Sequence, residues 1–290
     1  DIRKCPIEDE GFGVIGGLLL ESDCPCQMAY VSCNSFDVKD GGLDLVIKSE
    51  ILGAGAMRLL SGIFKFNGLI KKLNLSGRSI ETAAASVLAI AMQHNTTLTS
   101  VDLSNNPLSD VTSYTSGSEP TDTSGLVALA SAVKVNKSLE AITLEGNKLP
   151  VDQLKGDKKV RTLDLSRKSL GFVSAIFIGT LLRGNTYITE LILHSNDLSA
   201  NGATIIVKQL SPSLKTLDIA NVVRLEERGK SDKKAESRKS TYKAASADIP
   251  PQQLESLWAA VTSLGTLDKL TMDRDHLKNL SSLGRLLSLK

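Results

Sequence analysis

Apolar residues spaced two apart, with polar residues between them, recur along most of the chain. The stretch Leu98-Thr-Ser-Val101-Asp-Leu103-Ser-Asn-Asn106-Pro-Leu108 carries the pattern most fully. In an extended segment Val101 and Leu103 point to one face, while Thr99, Ser100, Asp102 and Ser104 are expected to stay in water. Asn106 is expected to bond turn backbone through its side-chain amide, and Leu108 to bring the chain back beneath the strand. One such unit cannot bury its own apolar face, so it needs neighbours stacked on both sides.

The same spacing starts at Gly42, Ile70, Leu98, Leu139, Val160, Ile188, Leu214 and Leu267, and the first two intervals are 28 residues each (70−42 and 98−70). The strand pairs it predicts are Leu45 and Ile47, Leu73 and Leu75, Val101 and Leu103, and Ile142 and Leu144. Leu163 and Leu165, Leu191 and Leu193, Leu217 and Ile219, and Leu270 and Met272 complete the series. Asn67, Asn95, Asn136 and Asn185 each stand three residues before a start, at the end of amphipathic runs such as 83–92 and 173–182. Asn tolerates the left-handed conformation that stops a helix, so the predicted unit is strand, turn, helix, Asn stop. Strands alternating with helices are then parallel, with the helices on the outer side.

This frame, L-x-x-L-x-L-x-x-N-x-L, marks a leucine-rich repeat. The 28-residue unit with a full helix resembles the ribonuclease-inhibitor-like class, which also includes the Ran GTPase-activating protein and the sensor ends of nucleotide-binding immune receptors. The resemblance covers residues 42–278. It implies an α/β leucine-rich repeat solenoid, a horseshoe with parallel strands on the concave face, helices on the convex face, and partners docked on the strands. The chain departs from the frame at the Asn position, which holds Glu50, Arg78, Lys168, Val222 and Asp275, with Asn only at Asn106, Asn147 and Asn196. Turns in the Asn-less repeats are expected to be less regular.

Residues 1–41 lie outside the frame and are expected to form a Cys-containing N-terminal cap, since the first repeat would otherwise leave an apolar end open to water. The array over 42–278 carries insertions at 109–125, rich in Ser, Thr, Asp, Gly and Pro, and at 224–249, where Lys and Arg outnumber acids. The first is expected to be a rim loop. The second is a soluble insertion or a contact for an acidic protein, lipid or RNA. Between Leu139 and Val160 only 21 residues (160−139) are available, so this repeat is expected to have a short turn in place of a normal helix. A helix carrying Leu254, Leu257, Trp258 and Val261 follows Pro250-Pro251, and residues 279–290 are expected to form a C-terminal capping helix.

With 34 Lys+Arg against 32 Asp+Glu among 290 residues, the chain offers no global attraction for nucleic acid or membrane, and no nucleic-acid partner is expected. Aromatic residues are 4% and hydrophobic ones 41%, so the core falls to Leu, Ile, Val and Ala, which suits repetitive packing. The apolar run Val14 to Leu20 is too short to span a bilayer, and no membrane span is expected. The chain begins with Asp1, which leaves a removed targeting peptide or a longer parent chain open.

All four cysteines, Cys5, Cys24, Cys26 and Cys33, fall in the cap. They resemble the cysteine-rich caps of extracellular leucine-rich proteins, which implies two disulfides and a secreted protein. The same residues as a zinc site, or as reduced thiols packed as small apolar groups, are the alternatives. Reduced thiols place the protein in the cytoplasm or inside an organelle.

The three histidines, His94, His194 and His276, fall in different repeats, and the frame brings no nucleophile to them. Gly229-Lys230-Ser231 lacks the earlier Gly of a phosphate-binding loop, having Arg224 there, and nothing matches a GTPase activator distinctively. Triplets at Asn74, Asn95, Asn136 and Asn279 fit a glycosylation pattern that is common by chance. No enzyme and no cofactor is expected. The inward-facing positions remain as the candidate site: Lys71, Lys72, Asn74, Asp102, Glu140, Arg161, Asp164, Glu190, Ile192, His194, Lys215 and Asp218. Their mixed signs suit selection of a protein partner, whose identity the sequence does not give, and the bland alternative is a solvated sheet face. The function expected is a non-enzymatic protein–protein interaction scaffold. The alternatives are a permanent subunit of a larger complex, or the sensor or regulatory part of a larger receptor or GTPase regulator.

Overall fold

The computed structural model describes residues 7–21, 31–33, 35–39, 42, 44–109, 122–222 and 251–272. Within them the predicted apolar pairs from Leu73 to Ile219 are each no more than 3% exposed, whereas Leu45, Ile47, Leu270 and Met272, nearer the ends of the stack, are partly buried. The chain is therefore a mixed α/β structure whose core is a seam of strand leucines set against helices.

In chain order the elements are α1 (Asp9–Glu21), β1 (Val31–Ser32), β2 (Phe36–Lys39), β3 (Asp44–Ile47), α2 (Ala54–Lys65), β4 (Lys72–Asn74), α3 (Thr82–His94), β5 (Ser100–Asp102) and α4 (Ser124–Val135). There follow β6 (Ala141–Leu144), β7 (Asn147–Pro150), α5 (Val151–Lys155), β8 (Thr162–Asp164), α6 (Phe172–Leu182), β9 (Glu190–Ile192), α7 (Ser199–Val207), β10 (Thr216–Asp218), α8 (Pro251–Ser263) and β11 (Lys269–Thr271). Successive helices pack on one another, α4 directly on α6. The expected helix after Pro250 is present, with Leu254, Leu257, Trp258 and Val261 buried. Most of the 109–125 insertion, all of 224–249, His276 and the proposed capping helix 279–290 lie outside the described residues.

The strands do not make the single parallel sheet that the spacing predicts. Parallel pairing joins β4, β5 and β6, and separately β8, β9, β10 and β11. β3 pairs antiparallel with β2, and β7 pairs antiparallel with β6. The second departure follows from the short interval after Leu139. Glu145 and Gly146 both take positive φ, 51° and 76°, which is the geometry that closes a two-residue hairpin. The chain thus doubles back along β6, and only the five residues of α5 remain before Gly156, at φ 84°, ends that helix. The expected short turn is therefore a hairpin followed by a single helical turn.

Three further expectations are corrected. Asn95 and Asn136 stop their helices in extended conformation, with φ −70° and −61°, not left-handed. Left-handed backbone instead occupies the strand-exit turns, at Gly77, Asn105, Arg167, Ser195 and Asn221. The turns at Arg78 and Lys168, which lack the Asn, are also well held, because the next repeat supplies the acceptor. Asn106 Oδ1 accepts the amides of Arg78 (2.8 Å) and Ile80 (3.1 Å), and Asn196 Oδ1 those of Lys168 (3.0 Å) and Leu170 (3.1 Å). Ser104, expected in water, is 5% exposed, with its Oγ accepting the Gly146 amide at 3.2 Å.

At the N-terminal end α1 lies against α2. The Asp9 carboxylate accepts the Gly55 and Ala56 amides at 2.8 and 2.9 Å and so caps α2 from the neighbouring helix. Cys33 is buried, its thiol donating to the Phe36 carbonyl at 3.3 Å, and Cys5, Cys24 and Cys26 lie outside the described residues. Among the described residues no helix is long and apolar enough to cross a membrane.

Candidate functional site

Burying Leu73, Val101 and Ile142 on one side of the sheet forces the alternate residues onto the face away from the core. Parallel register lines them up as Asn74, Asp102 and Thr143 in the first sheet, and as Asp164, Ile192, Asp218 and Thr271 in the second. Two residues earlier on the same strands stand Lys72, Ser100 and the buried Ala141, and in the second sheet Thr162, Glu190, Thr216 and Lys269. Thr162 Oγ1 donates to Glu190 Oε2 at 2.9 Å.

The acids of this column also have a structural task. Asp102 Oδ1 accepts the Ser104 amide (2.9 Å), Asp164 Oδ1 the Ser166 amide (2.9 Å) and Asp218 Oδ1 the Ala220 amide (3.1 Å). Asn74 does the same for Ser76 at 2.9 Å. Each closes the turn that leaves its strand, so the side chain is fixed by local backbone and its charge sits at a set position. Ser166, by its backbone and its side chain, with His194 and Lys168 adding positive charge, holds the Asp164 carboxyl below the ordinary carboxylate range.

Lys71, Arg161 and Lys215 sit at the strand-entry edge, exposed. Their carbonyls start the ladders, accepting the amides of Thr99, Thr189 and Asp268 at 2.8 Å each. Glu140 is exposed on the same edge, and its carbonyl accepts the Val151 amide at 2.8 Å. His194 Nδ1 lies 3.2 Å from Ser195 Oγ, its chain neighbour. His94 is in another repeat, bonded within its own helix to the Ile90 carbonyl. Among the described residues no three His, Cys, Asp or Glu are placed to hold a metal ion.

The break between β7 and β8 divides the expected face. Lys71, Lys72, Asn74, Asp102 and Glu140 belong to one sheet, and Arg161, Asp164, Glu190, Ile192, His194, Lys215 and Asp218 to the other. A cleft of about 570 Å³ lies at the break, with Lys72, Lys148 and Lys168 opposed by Glu140, Asp152 and Asp164 among its lining residues. Lys148 was not among the expected site residues because the hairpin that carries it was not anticipated, and Lys168 stood only as a departure from the Asn frame.

No protein-family model matches the chain, and no curated protein does. Solved structures that match include "Leiomodin-1 Actin-Binding Site 2 (ABS2)", 18% identical, TM-score 0.33, over 57% of this chain and 76% of that one. Another is the tropomodulin C-terminal domain of Caenorhabditis elegans, 11% identical, TM-score 0.29, over 68% of this chain and 89% of that one. Neither is named as a ribonuclease-inhibitor-like protein, and the antiparallel β2–β3 and β6–β7 pairings and the division into separate sheets correct the expected membership of that class. At this level of likeness no site residue or partner carries over from them.

Proposed function

We propose that the chain is a leucine-rich repeat horseshoe acting as a non-enzymatic interaction module, with a protein partner held on the strand face. Residues 1–41 and 279–290 cap the two ends of the array in this proposal. Lys71, Lys72, Asn74, Asp102, Glu140, Arg161, Asp164, Glu190, Ile192, His194, Lys215 and Asp218 are its contact residues. The observation that supports it is the column of Asp102, Asp164 and Asp218, each carboxylate anchored by the turn amide two residues on. Charges fixed before a partner arrives lose little entropy on binding, and they select a partner of complementary pattern.

The same anchoring determines the test. Asn74 makes the equivalent turn bond, so Asp102→Asn, Asp164→Asn and Asp218→Asn together remove charge and keep the turns. A partner is first identified by pull-down from the native source with the unaltered chain. Calorimetric titration of that purified partner should show affinity at least about tenfold weaker for the triple variant, with thermal stability retained. Equal affinity would move the contact away from this face.

A further inference from the structure

Main-chain hydrogen bonding at the break between β7 and β8 is incomplete on both walls. In β6, the Ala141 amide bonds the Thr99 carbonyl (3.2 Å) and the Thr143 carbonyl accepts from Leu103 (3.0 Å), so these residues face β5. Ile142 and Leu144 therefore face β7, opposite Leu149 and Asn147. Alternation along β7 then turns the N–H and C=O of Lys148, and the C=O of Pro150, away from β6. On the other wall, the Arg161 carbonyl accepts from Thr189 (2.8 Å) and the Leu165 amide bonds the Ile192 carbonyl (2.9 Å), so both face β9. The N–H and C=O groups of Thr162 and Asp164 turn the opposite way, toward β7. β7 and β8 are each the last strand of their sheet, with no strand between them among the described residues.

The gap is more than a slip of register. Paired strands lie about 4.8 Å apart, whereas the Cα atoms of β7 and β8 lie largely beyond 8 Å of each other. The cleft of about 570 Å³ fills that space. On the helix side the structure is closed, because α4 packs directly on α6. One rim is latched as well. Glu145, in the β6–β7 turn, accepts the Gly171 amide at 2.8 Å and the Ser174 hydroxyl at 2.5 Å, at the start of α6. The break is a wedge held open on the sheet face by contacts that close it elsewhere.

We infer that the cleft between β7 and β8 is a strand-acceptor site, taking an extended polypeptide segment of a partner protein by main-chain pairing to both walls. Only an extended peptide carries donors and acceptors on both edges at the required repeat. Three cations and three carboxylates line the cleft, so it has no net preference for an anion and recognises backbone before side-chain charge. The strands on its walls are four and three residues long, which sets the bound core at about four residues, or roughly 13 Å. The site uses main-chain groups, so it stands or falls apart from the role proposed for the acidic column.

The test pans a phage-displayed pool of random hexapeptides on the full chain, then synthesises a selected peptide with and without N-methylation at alternate amides. In the free chain the Lys148, Thr162 and Asp164 amides should exchange at least about 100-fold faster than those of Leu149 and Leu163, and peptide should slow them. N-methylation should weaken binding about tenfold or more. Thr162→Pro, which removes a cleft-facing donor on an edge strand along with the exposed bond to Glu190, should do likewise relative to Thr162→Val, which loses the same Glu190 bond, with melting equal in the two. The Asp102→Asn/Asp218→Asn double variant, which leaves every residue lining the cleft untouched, should keep the peptide even if it loses the column's partner. Failure to select any peptide would overturn the site, as would equal binding of the N-methylated form or full protection of Thr162 and Asp164 in the free chain. Self-association that protects the same amides would overturn the assignment to a partner protein.

Discussion

Asn95 donates its side-chain amide to the main-chain carbonyl of Asn67 at 3.0 Å, and Asn136 donates in the same way to Asn95 at 2.7 Å. All three are buried. Asn95 also satisfies the Phe64 carbonyl at the end of α2 (2.8 Å), while its Oδ1 accepts the amides of Thr97 (2.9 Å) and Leu98 (2.8 Å) that lead into β5. One side chain thus ties the end of the previous helix to the start of its own strand. Asn185 repeats the arrangement across the shortened repeat, donating to Gln153 and Leu154 at 3.0 Å each.

Asn95→Ala would leave the Thr97 and Leu98 amides without a partner, while the Phe64 and Asn67 carbonyls keep the Asn67 amide and the Thr97 hydroxyl. A buried polar group left without a partner costs about 1–3 kcal/mol, so the variant should lose about 3 kcal/mol or more in urea unfolding. Asn74→Ala, which removes the two exposed turn bonds from the Ser76 amide and hydroxyl, should lose less than about 1 kcal/mol. Similar losses in the two variants would mean the buried bridges contribute no more than an exposed turn.

The asparagines illustrate how far the sequence could be read. Their spacing gave away the repeat, and periodicity alone placed α3, α6, α8 and the buried pairs from Leu73 to Ile219. What they do was misread, because a residue that tolerates left-handed backbone and one that bridges two repeats leave the same mark at the same position. The shortened interval after Leu139 announced a missing helix. Only the left-handed Glu145–Gly146 turn, which no apolar pattern encodes, decided that the chain would double back as β7 and open the sheet. The acidic column was legible as a face, since strand alternation dictates it. Its turn-closing bonds were not, because they depend on where the next amide points.

Gly16 is where α1 meets the backbone of α2. A Cβ there would stand 2.3 Å from Arg58 C and Leu59 N, whereas one on the adjacent Gly17 would meet nothing within 4 Å. Gly16→Ala should therefore push the helices apart and cost about 1–3 kcal/mol. Gly17→Ala should be neutral or stabilising by about 0.5–1 kcal/mol, through the lower backbone entropy of alanine in a helix. Hydrogen exchange of the α2 amides reads the difference directly, and equal protection in both variants would contradict the close crossing.

Asp37 gives the N-terminal sheet a defined acid limit. Lys48 donates to its carboxylate at 2.7 Å, Ser32 at 2.6 Å, and Lys39 lies 3.4 Å away. Led by the Lys48 hydrogen bond, these partners lower its pKa from 3.8 to about 2. A carboxyl whose folded pKa lies below its unfolded value binds fewer protons in the native state, so its stabilisation is complete above about pH 4. That contribution is lost as pH falls toward 2, where folded Asp37 also protonates. Asp37→Asn removes the charge at every pH. It should unfold more readily than the unaltered chain at pH 7 and draw level with it near pH 2, as read from urea midpoints across that range. A gap that stays constant from pH 7 to 2 would show that packing, and not the ion pair with Lys48, is what the substitution disturbs.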